Sequence, residues 1–211
     1  MLNEVGGDRM SRKLSIIFVC ALCMVGGIAN AADLNWNGNF NTGNFDGWWS
    51  YAPNPAAQTI TIAPAGGPDS SPAAVIWNAD TTSAGNAQLG TNWFGVTAGI
   101  TYNASLAFNE AAVAGGGWAG VTAGLEFFDS GGAWISGNYP NLWDTGGSWT
   151  TYNFATIAPA GAVNAQFKLD SWAGGGGAVT AYIDNVSITP EPATMVLLGI
   201  GGLVALRRKH A

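Results

Sequence analysis

Six tryptophans lie where their rings could serve as a binding surface. Ten of the 211 residues are Trp, and six of these stand within two residues of Gly, Asn, Asp or Thr, near predicted strand ends or in predicted loops: Trp77, Trp93, Trp118, Trp134, Trp143 and Trp172. An indole face stacks on the apolar face of a sugar ring, and the indole N–H adds a hydrogen-bond donor. These six are therefore candidate ligand-binding residues.

Trp143 and Trp172 are the best single candidates within this set. Asp144 and a Gly-Gly turn follow Trp143, while Asp170 precedes Trp172 and four glycines follow it. Each pairing offers a stacking face beside a hydrogen-bond acceptor. The alternative for any one ring is a place in the protein interior, which we expect for Trp48 and Trp149.

Three acidic residues could supply the two carboxylates of a glycoside hydrolase: Glu110, Glu126 and Asp129. Glu126 falls on the outward side of a predicted strand and Asp129 falls at a predicted turn. We therefore expect solvated or turn-capping roles for these acids rather than catalysis.

The composition of the middle of the chain excludes thiol chemistry, catalytic arrangements that need histidine, and zinc sites with histidine ligands. The only histidine, His210, lies at the end of the C-terminal tail, and both cysteines, Cys20 and Cys23, lie in an N-terminal segment predicted to be removed. Neither a Ser-His-Asp nor a Cys-His arrangement can be built, and no disulfide can form. We expect the protein not to be an enzyme.

The charge between residues 32 and 190 is strongly negative. Ten acids and one base, Lys168, give this region a net charge of −9. A surface of that sign repels phosphate backbones, so nucleic acid is not an expected partner. Neutral partners and divalent cations remain compatible with it.

The elements that must position these residues are strands. Hydrophobic residues alternate with polar or small ones in 102–108, 121–127 and 163–170, and glycine-rich turns separate these runs. In the last run four residues are predicted to face inward: Val163, Ala165, Phe167 and Leu169. About 160 residues suffice for one core. We predict an all-β fold, a single jelly-roll β-sandwich over 32–189.

The N-terminal segment has the three parts of a secretory signal peptide. Basic residues at 12–13 precede the apolar run 14–28, and 29–31 read Ala-Asn-Ala. The pattern predicts a helical signal peptide over 1–31, export through Sec and cleavage after Ala31. Either Met1 or Met10 could be the start.

The C-terminal 22 residues combine an extended spacer, an uncharged apolar run and a basic cluster. They begin with Pro190, Glu191 and Pro192, continue through a predicted membrane helix at 193–206, and end in a group that includes Arg207 and Arg208. This tail resembles the PEP-CTERM sorting signal. The resemblance implies transient anchoring in the inner membrane and an exosortase-type processing protease as partner, whereas a plain membrane anchor is the alternative.

The middle of the chain resembles carbohydrate-binding modules that have a galactose-binding-like jelly roll. Short motifs occur in the expected order, beginning with Asn-Gly-Asn-Phe-Asn-Thr-Gly at 37–43 and continuing at 47–48, 96–102, 149–152, 158–160 and 182–186. Many modules of this kind hold a structural calcium where the first and last strands meet. The resemblance places Asp184 among the calcium ligands, with Asn41 at the position of the usual glutamate.

Three functions follow from these features. The first is an exported, non-enzymatic protein that is sorted to the cell surface or extracellular matrix and binds extracellular polysaccharide. The second is a structural exopolysaccharide or biofilm matrix protein of the same fold without a defined ligand. The third is a secreted glycoside hydrolase, which would need two carboxylates facing one cleft.

Overall fold

The alternating segments form twelve strands in the computed structural model of the chain. It describes residue 34 and residues 37–82, 86–115, 117–143 and 145–191, with only the backbone for 111–114. The strands are β1 (Trp48–Tyr51), β2 (Gln58–Ala63), β3 (Ala73–Asn78), β4 (Ala87–Thr91), β5 (Phe94–Gly95), β6 (Thr101–Ala114), β7 (Trp118–Phe128), β8 (Trp134–Asn138), β9 (Asn141–Leu142), β10 (Thr150–Ile157), β11 (Asn164–Gly174) and β12 (Ala178–Pro190).

The strands make two antiparallel sheets. The seven-stranded sheet has the order β1-β4-β11-β7-β8, with β5 paired to β11 and β9 paired to β7. The five-stranded sheet has the order β10-β6-β12-β3-β2. The described residues contain no helix. The predicted all-β jelly-roll sandwich is therefore confirmed, and the described part belongs to one compact unit spanning 33–191.

The core lies between the inner faces of the two sheets. Phe108 and Ile183 contribute from the five-stranded sheet, and Leu89, Phe127 and Phe167 from the seven-stranded one, all with no more than 1% of their surface exposed. Burying one such side chain contributes roughly 1.5–3 kcal/mol to stability. Inward and outward residues alternate along each strand. Once the inward residues are buried in the core, the residues between them must lie on the outer surface of the sheet.

The inner face of β11 follows the sequence pattern, except at its start. Ala165, Phe167 and Leu169 are fully buried, as predicted, but Val163 is 41% exposed. The prediction for Val163 was wrong. The strand begins one residue later, at Asn164, and Val163 lies just before it, with its backbone hydrogen-bonded to Phe128 and Val96.

The two tryptophans predicted to lie in the core, Trp48 and Trp149, differ in burial. Trp48 is buried, packs against Phe40 and Phe167, and donates its indole N–H to the carbonyl of Asn37. Trp149 is only partly buried and lies outside the core cluster, so its prediction was wrong. It precedes the edge strand β10, whose first residues are exposed.

Most of the two terminal signals lies outside the described residues, including the predicted segments 1–31 and 193–206. Over the part of the chain that is described, no helix has the length and apolar character to cross a membrane. Pro190 is the last residue of β12, and the backbone N–H of Glu191 donates to the carbonyl of Thr101.

Candidate functional site

The outer face of the seven-stranded sheet collects most of the large aromatic side chains that do not enter the core. We call this surface the aromatic face and define it by six residues: Trp49, Trp93, Trp118, Trp134, Tyr139 and Trp172. Strand parity puts Trp118 and Trp172 on the side away from the core, since the residues next to them in the strand point inward. Trp118 and Trp134 are 59% and 58% exposed.

At one end of the aromatic face two indole rings lie on glycines of the neighbouring strand. Trp172 pairs with Gly120, where an added Cβ would lie 2.6 Å from its ring, and Trp118 pairs with Gly174, where the distance would be 2.2 Å. The two ring centroids are 5.5 Å apart. Glycine thus leaves room for each ring to lie against the sheet, which turns its other side toward solvent.

At the other end Trp93 and Trp134 flank Phe128. Trp93 comes from the turn between β4 and β5, stacks on Phe128 with centroids 4.7 Å apart, and donates its indole N–H to Oε1 of Gln166 at 3.1 Å. Trp134 stands opposite Phe128 on β8. A ring fixed by both stacking and a hydrogen bond is held in one orientation before any ligand arrives.

Between the two ends lies a polar network centred on Glu126. Its carboxylate accepts hydrogen bonds from the hydroxyl of Tyr139 and from Nε2 of Gln166, and Nζ of Lys168 lies 3.0 Å from it. Burial opposes the charge of Glu126, but these donors outweigh that effect and hold the pKa of this carboxyl below its ordinary value. Glu126 is therefore ionised at neutral pH.

Lys168 links this network to the middle of the sheet. Its Nζ lies 3.7 Å from Asp170 and 5.4 Å from the centroid of the Tyr139 ring, and Nε2 of Gln88 donates to Asp170 at 3.4 Å. Burial and the adjacent Glu126 charge raise the pKa of Tyr139, which keeps its hydroxyl protonated as a donor. One cation among two carboxylates leaves this centre with a net negative charge.

The two aromatic ends are separated by the length of β11. Gln166, which holds Trp93, and Trp172 are six residues apart on one strand, or roughly 20 Å at ~3.3 Å per residue. The aromatic face is thus an elongated platform with a ring pair at each end and hydrogen-bonding groups between them.

The structure brings four of the six candidate tryptophans onto this platform: Trp93, Trp118, Trp134 and Trp172. Trp77 points outward from β3 in the other sheet. Trp143 follows β9, is 69% exposed, and uses its backbone N–H and carbonyl to contact the hydroxyl of Tyr152. Its neighbour Asp144 lies outside the described residues.

The sequence analysis missed several members of the aromatic face. Trp49 lies against Gly90 on the adjacent strand, and Tyr139 covers Gly124 and Gly137. The alternation of β11 does put Gln166, Lys168, Asp170 and Trp172 on one side. A search for aromatic residues opposite glycines on paired strands would have found the others, but it requires the strand register.

The three acids weighed for hydrolysis are distributed over different surroundings. Asp129 caps a turn, accepting from the backbone N–H groups of Gly131 and Ala133 at 2.8 Å, as expected. Glu126 is buried in the network rather than solvated, so that expectation was wrong for it. Glu110 is buried on β6, in the other sheet.

The residues predicted to hold calcium have unlike environments. Asp184 is fully buried, its carboxylate accepts from Oγ of Ser71 at 2.8 Å and from the N–H of Asn185, and burial raises its pKa. Asn41 is exposed, and no hydrogen bond among the described residues joins it to Asp184. The described residues hold no cluster of three metal-ligating acids, histidines or cysteines. Calcium at Asp184 stays a prediction, which thermal melts with calcium and with chelator would test.

A groove of about 520 Å³ lies on the outer face of the other sheet. Small uncharged side chains line most of it, among them Asn103, Ser105, Asn153, Ser187 and Thr189. It offers hydroxyl and amide groups but no indole. The aromatic face is flatter, yet it alone combines stacking surfaces with fixed donors and acceptors, so we regard it as the candidate site.

Residues 189–209 match the PEP-CTERM protein-sorting motif. The chain carries a PEP-CTERM sorting signal. The predicted resemblance of the tail is thereby confirmed over Pro190, Glu191, Pro192, Arg207 and Arg208. No curated protein sequence matches the chain.

Solved structures share the fold of this chain at low sequence identity. A family 16 carbohydrate-binding module matches with a TM-score of 0.51 and 17% identity, covering 74% of this chain and 99% of the module. The CBM22-1 xylan-binding domain of Paenibacillus barcinonensis Xyn10C matches with a TM-score of 0.51 and 12% identity, covering 74% and 92%. The stig cyclase Fisc of Fischerella sp. TAU matches with a TM-score of 0.55 and 17% identity, covering 76% and 97%.

Two longer enzymes are matched only in part. The chain spans 21% of a bacteriophage CBA120 tailspike protein 4 structure and 27% of a Clostridium thermocellum xylanase 10B structure. Identities this low establish the fold alone. The neighbours have the jelly-roll fold of carbohydrate-binding modules, as the sequence motifs predicted.

Proposed function

We propose that this protein is exported, sorted through its PEP-CTERM signal by an exosortase-type protease, and binds extracellular polysaccharide through the aromatic face. The observation that carries the proposal is the joining of four exposed or half-exposed tryptophans with a fixed polar network on one sheet. Stacking rings supply contact area and the network supplies oriented hydrogen bonds, which together are the usual means of holding a sugar ring.

The charge of the platform favours a neutral polysaccharide. Lys168 is the only base between residues 32 and 190, and both Glu126 and Asp170 lie within 4 Å of it. No uncompensated cation is left there to bind the carboxylates of an acidic polymer. Hydroxyl groups, by contrast, can donate to carboxylates and accept from amides.

The length of the platform favours a linear ligand of several sugar units. The two aromatic ends are separated by roughly 20 Å along β11, far more than one ring covers. A chain lying parallel to the strand would reach both ends and gain contacts at each. Open, solvated contacts of this kind give modest affinity, with an expected Kd on the order of 10⁻⁴ M, or about −5.5 kcal/mol.

Binding without hydrolysis fits the state of the acids. Glu126 is ionised and engaged by three donors, so it has no proton to give a leaving group. Glu110 lies in the other sheet, and Asp129 caps a turn. This distribution supports a binding protein over a glycoside hydrolase.

The matrix-protein alternative has the same fold and sorting signal but lacks a defined ligand. Affinity electrophoresis through gels that contain neutral polysaccharides distinguishes the polysaccharide-binding protein from the matrix protein. The wild-type protein should be retarded by at least one polymer, and Trp172→Ala or Trp118→Ala should weaken retention about fivefold or more, the equivalent of about 1 kcal/mol.

Trp77→Ala is the matched control, since Trp77 points outward from β3 in the other sheet. It should be retarded like the wild type, and melting curves should show that all three variants fold. Equal retention of all variants, or loss of retention only with loss of folding, would favour the matrix protein.

A further inference from the structure

The strand β10 leaves one edge of the five-stranded sheet open. It pairs with β6 over eight residues without any shift in register. In the part of the chain that the structure describes, no backbone–backbone hydrogen bond joins β10 to another strand. Every second backbone N–H and C=O of this strand therefore points away from the sheet and is available to a further strand.

This edge lacks the features that normally prevent pairing between proteins. Its sequence, Thr-Thr-Tyr-Asn-Phe-Ala-Thr-Ile, has no charge and no proline, and its pairing has no bulge. The edges of the seven-stranded sheet differ. β1 has only four residues, and β8 has five and pairs across a register shift at Phe127 and Phe128. The open edges are therefore confined to the five-stranded sheet, where β2, at the other edge, is also uncharged and without a bulge but has six residues against the eight of β10.

The sequence of β10 is self-complementary about Asn153. If two copies pair antiparallel with Asn153 opposite itself, Tyr152 stands opposite Phe154 and Thr151 opposite Ala155. One step further out, Thr150 meets Thr156. Aromatic pairs and threonine pairs are favourable cross-strand neighbours, and each pair lies on one face of the sheet as the parity requires.

The absence of charge also suits this strand to a contact between identical chains. The region 32–190 carries a net charge of −9, so two copies repel each other over most of their surfaces. The eight residues of β10 contain no ionisable side chain except the phenol of Tyr152, whose hydroxyl contacts the backbone of Trp143. Two copies can thus pair along β10 without opposing like charges at the seam.

We propose that the protein self-associates through β10, with a second copy adding its own β10 antiparallel about a twofold axis at Asn153. The two five-stranded sheets then form one continuous ten-stranded sheet across the dimer. Such an interface is isologous and closes with two copies. It uses the sheet opposite the aromatic face, so both platforms stay free, and it does not rest on the proposed function.

Cysteine cross-linking of the full-length chain tests the register directly. The background is Cys20→Ala with Cys23→Ala. A cysteine in place of Asn153 would face its own copy at a separation suited to a disulfide, so Asn153→Cys should give a reducible dimer on mild oxidation. Ala155→Cys should not, because four residues of register then separate the two sulfurs. Mixing Thr151→Cys with Ala155→Cys should restore the cross-link.

A second measurement does not depend on cysteine geometry. Sedimentation should show that Asn153→Lys weakens self-association about fivefold or more, since the two lysines would meet at the axis. Thr61→Lys is the matched control, as Thr61 is exposed on β2 at the opposite edge of the same sheet. Melting curves should be the same for both variants.

The proposal is overturned if the wild-type protein sediments as a monomer at the highest concentration attainable. It is also overturned if Ala155→Cys cross-links as well as Asn153→Cys, which would indicate random collision, or if only Thr61→Cys on β2 cross-links.

Discussion

Among single residues, Glu126 organises the aromatic face. It joins β7 to the hydroxyl of Tyr139, the amide of Gln166 and the ammonium of Lys168, and Gln166 in turn fixes the indole of Trp93. A buried carboxylate is costly unless such donors surround it. The same contacts that compensate its charge therefore also hold the stacking surface in place.

This arrangement predicts a pH dependence of stability. The folded-state pKa of Glu126 lies below the ordinary value of 4.5, so its contribution is fully present above about pH 4.5 and is lost as the pH falls through the lowered folded-state pKa. Glu126→Gln should therefore show a smaller loss in free energy of unfolding over that acid range. Urea denaturation at a series of pH values measures it.

The control for removing one negative charge is Asp46→Asn, at an exposed turn residue. This variant removes the same unit of charge at a position outside the Glu126 network. A wild-type slope in Glu126→Gln would contradict the role given to the network.

Among the elements, the long β7–β11 pair builds most of the platform. Its register places Gly120 under Trp172 and Gly174 under Trp118. Gly120→Ala should displace the Trp172 ring, because the new Cβ would lie 2.6 Å from it. Overpacking of this kind costs typically ~1–3 kcal/mol, and retention by polysaccharide should fall as in Trp172→Ala.

The matched control is Gly95→Ala on β5, where an added Cβ meets nothing within 4 Å. It should change neither the melting temperature nor the retention. If Gly120→Ala also leaves both unchanged, the ring does not depend on the glycine beneath it, and the account of the platform fails at this point.

The sequence predicted the long strands better than the short ones. Alternation over seven or eight residues located β6, β7 and β11, because one face of each is buried. The alternation did not reveal β5 and β9, because each has only two residues and so cannot show a repeating pattern. Their places are set by pairing with β11 and β7, which are distant in the chain.

Part of the candidate site could also be predicted from the alternation of inward and outward residues along a long strand. Parity alone placed Gln166, Lys168 and Asp170 on the outer side of β11. The burial of Gln166 and the fixing of Trp93 depend on a contact between residues 73 positions apart, which no local pattern encodes.

On the scale of the whole molecule, sorting and binding are assigned to different parts of the chain. The sorting motif occupies 189–209, and the aromatic face is built from residues between Trp49 and Trp172. The opposite sheet carries the open edge at β10. A dimer formed there would present two platforms at once, and simultaneous engagement of one polymer would raise the overall affinity without new contacts to the sugar.

The most direct test of the central claim follows the indole N–H signals of the ten tryptophans by NMR while a retarding oligosaccharide is added. The aromatic face predicts shifts for Trp93, Trp118, Trp134 and Trp172, whereas Trp48, buried against Asn37, and Trp77, on the other sheet, should stay unchanged. Shifts confined to Trp77, with the four platform signals unmoved, would contradict the account.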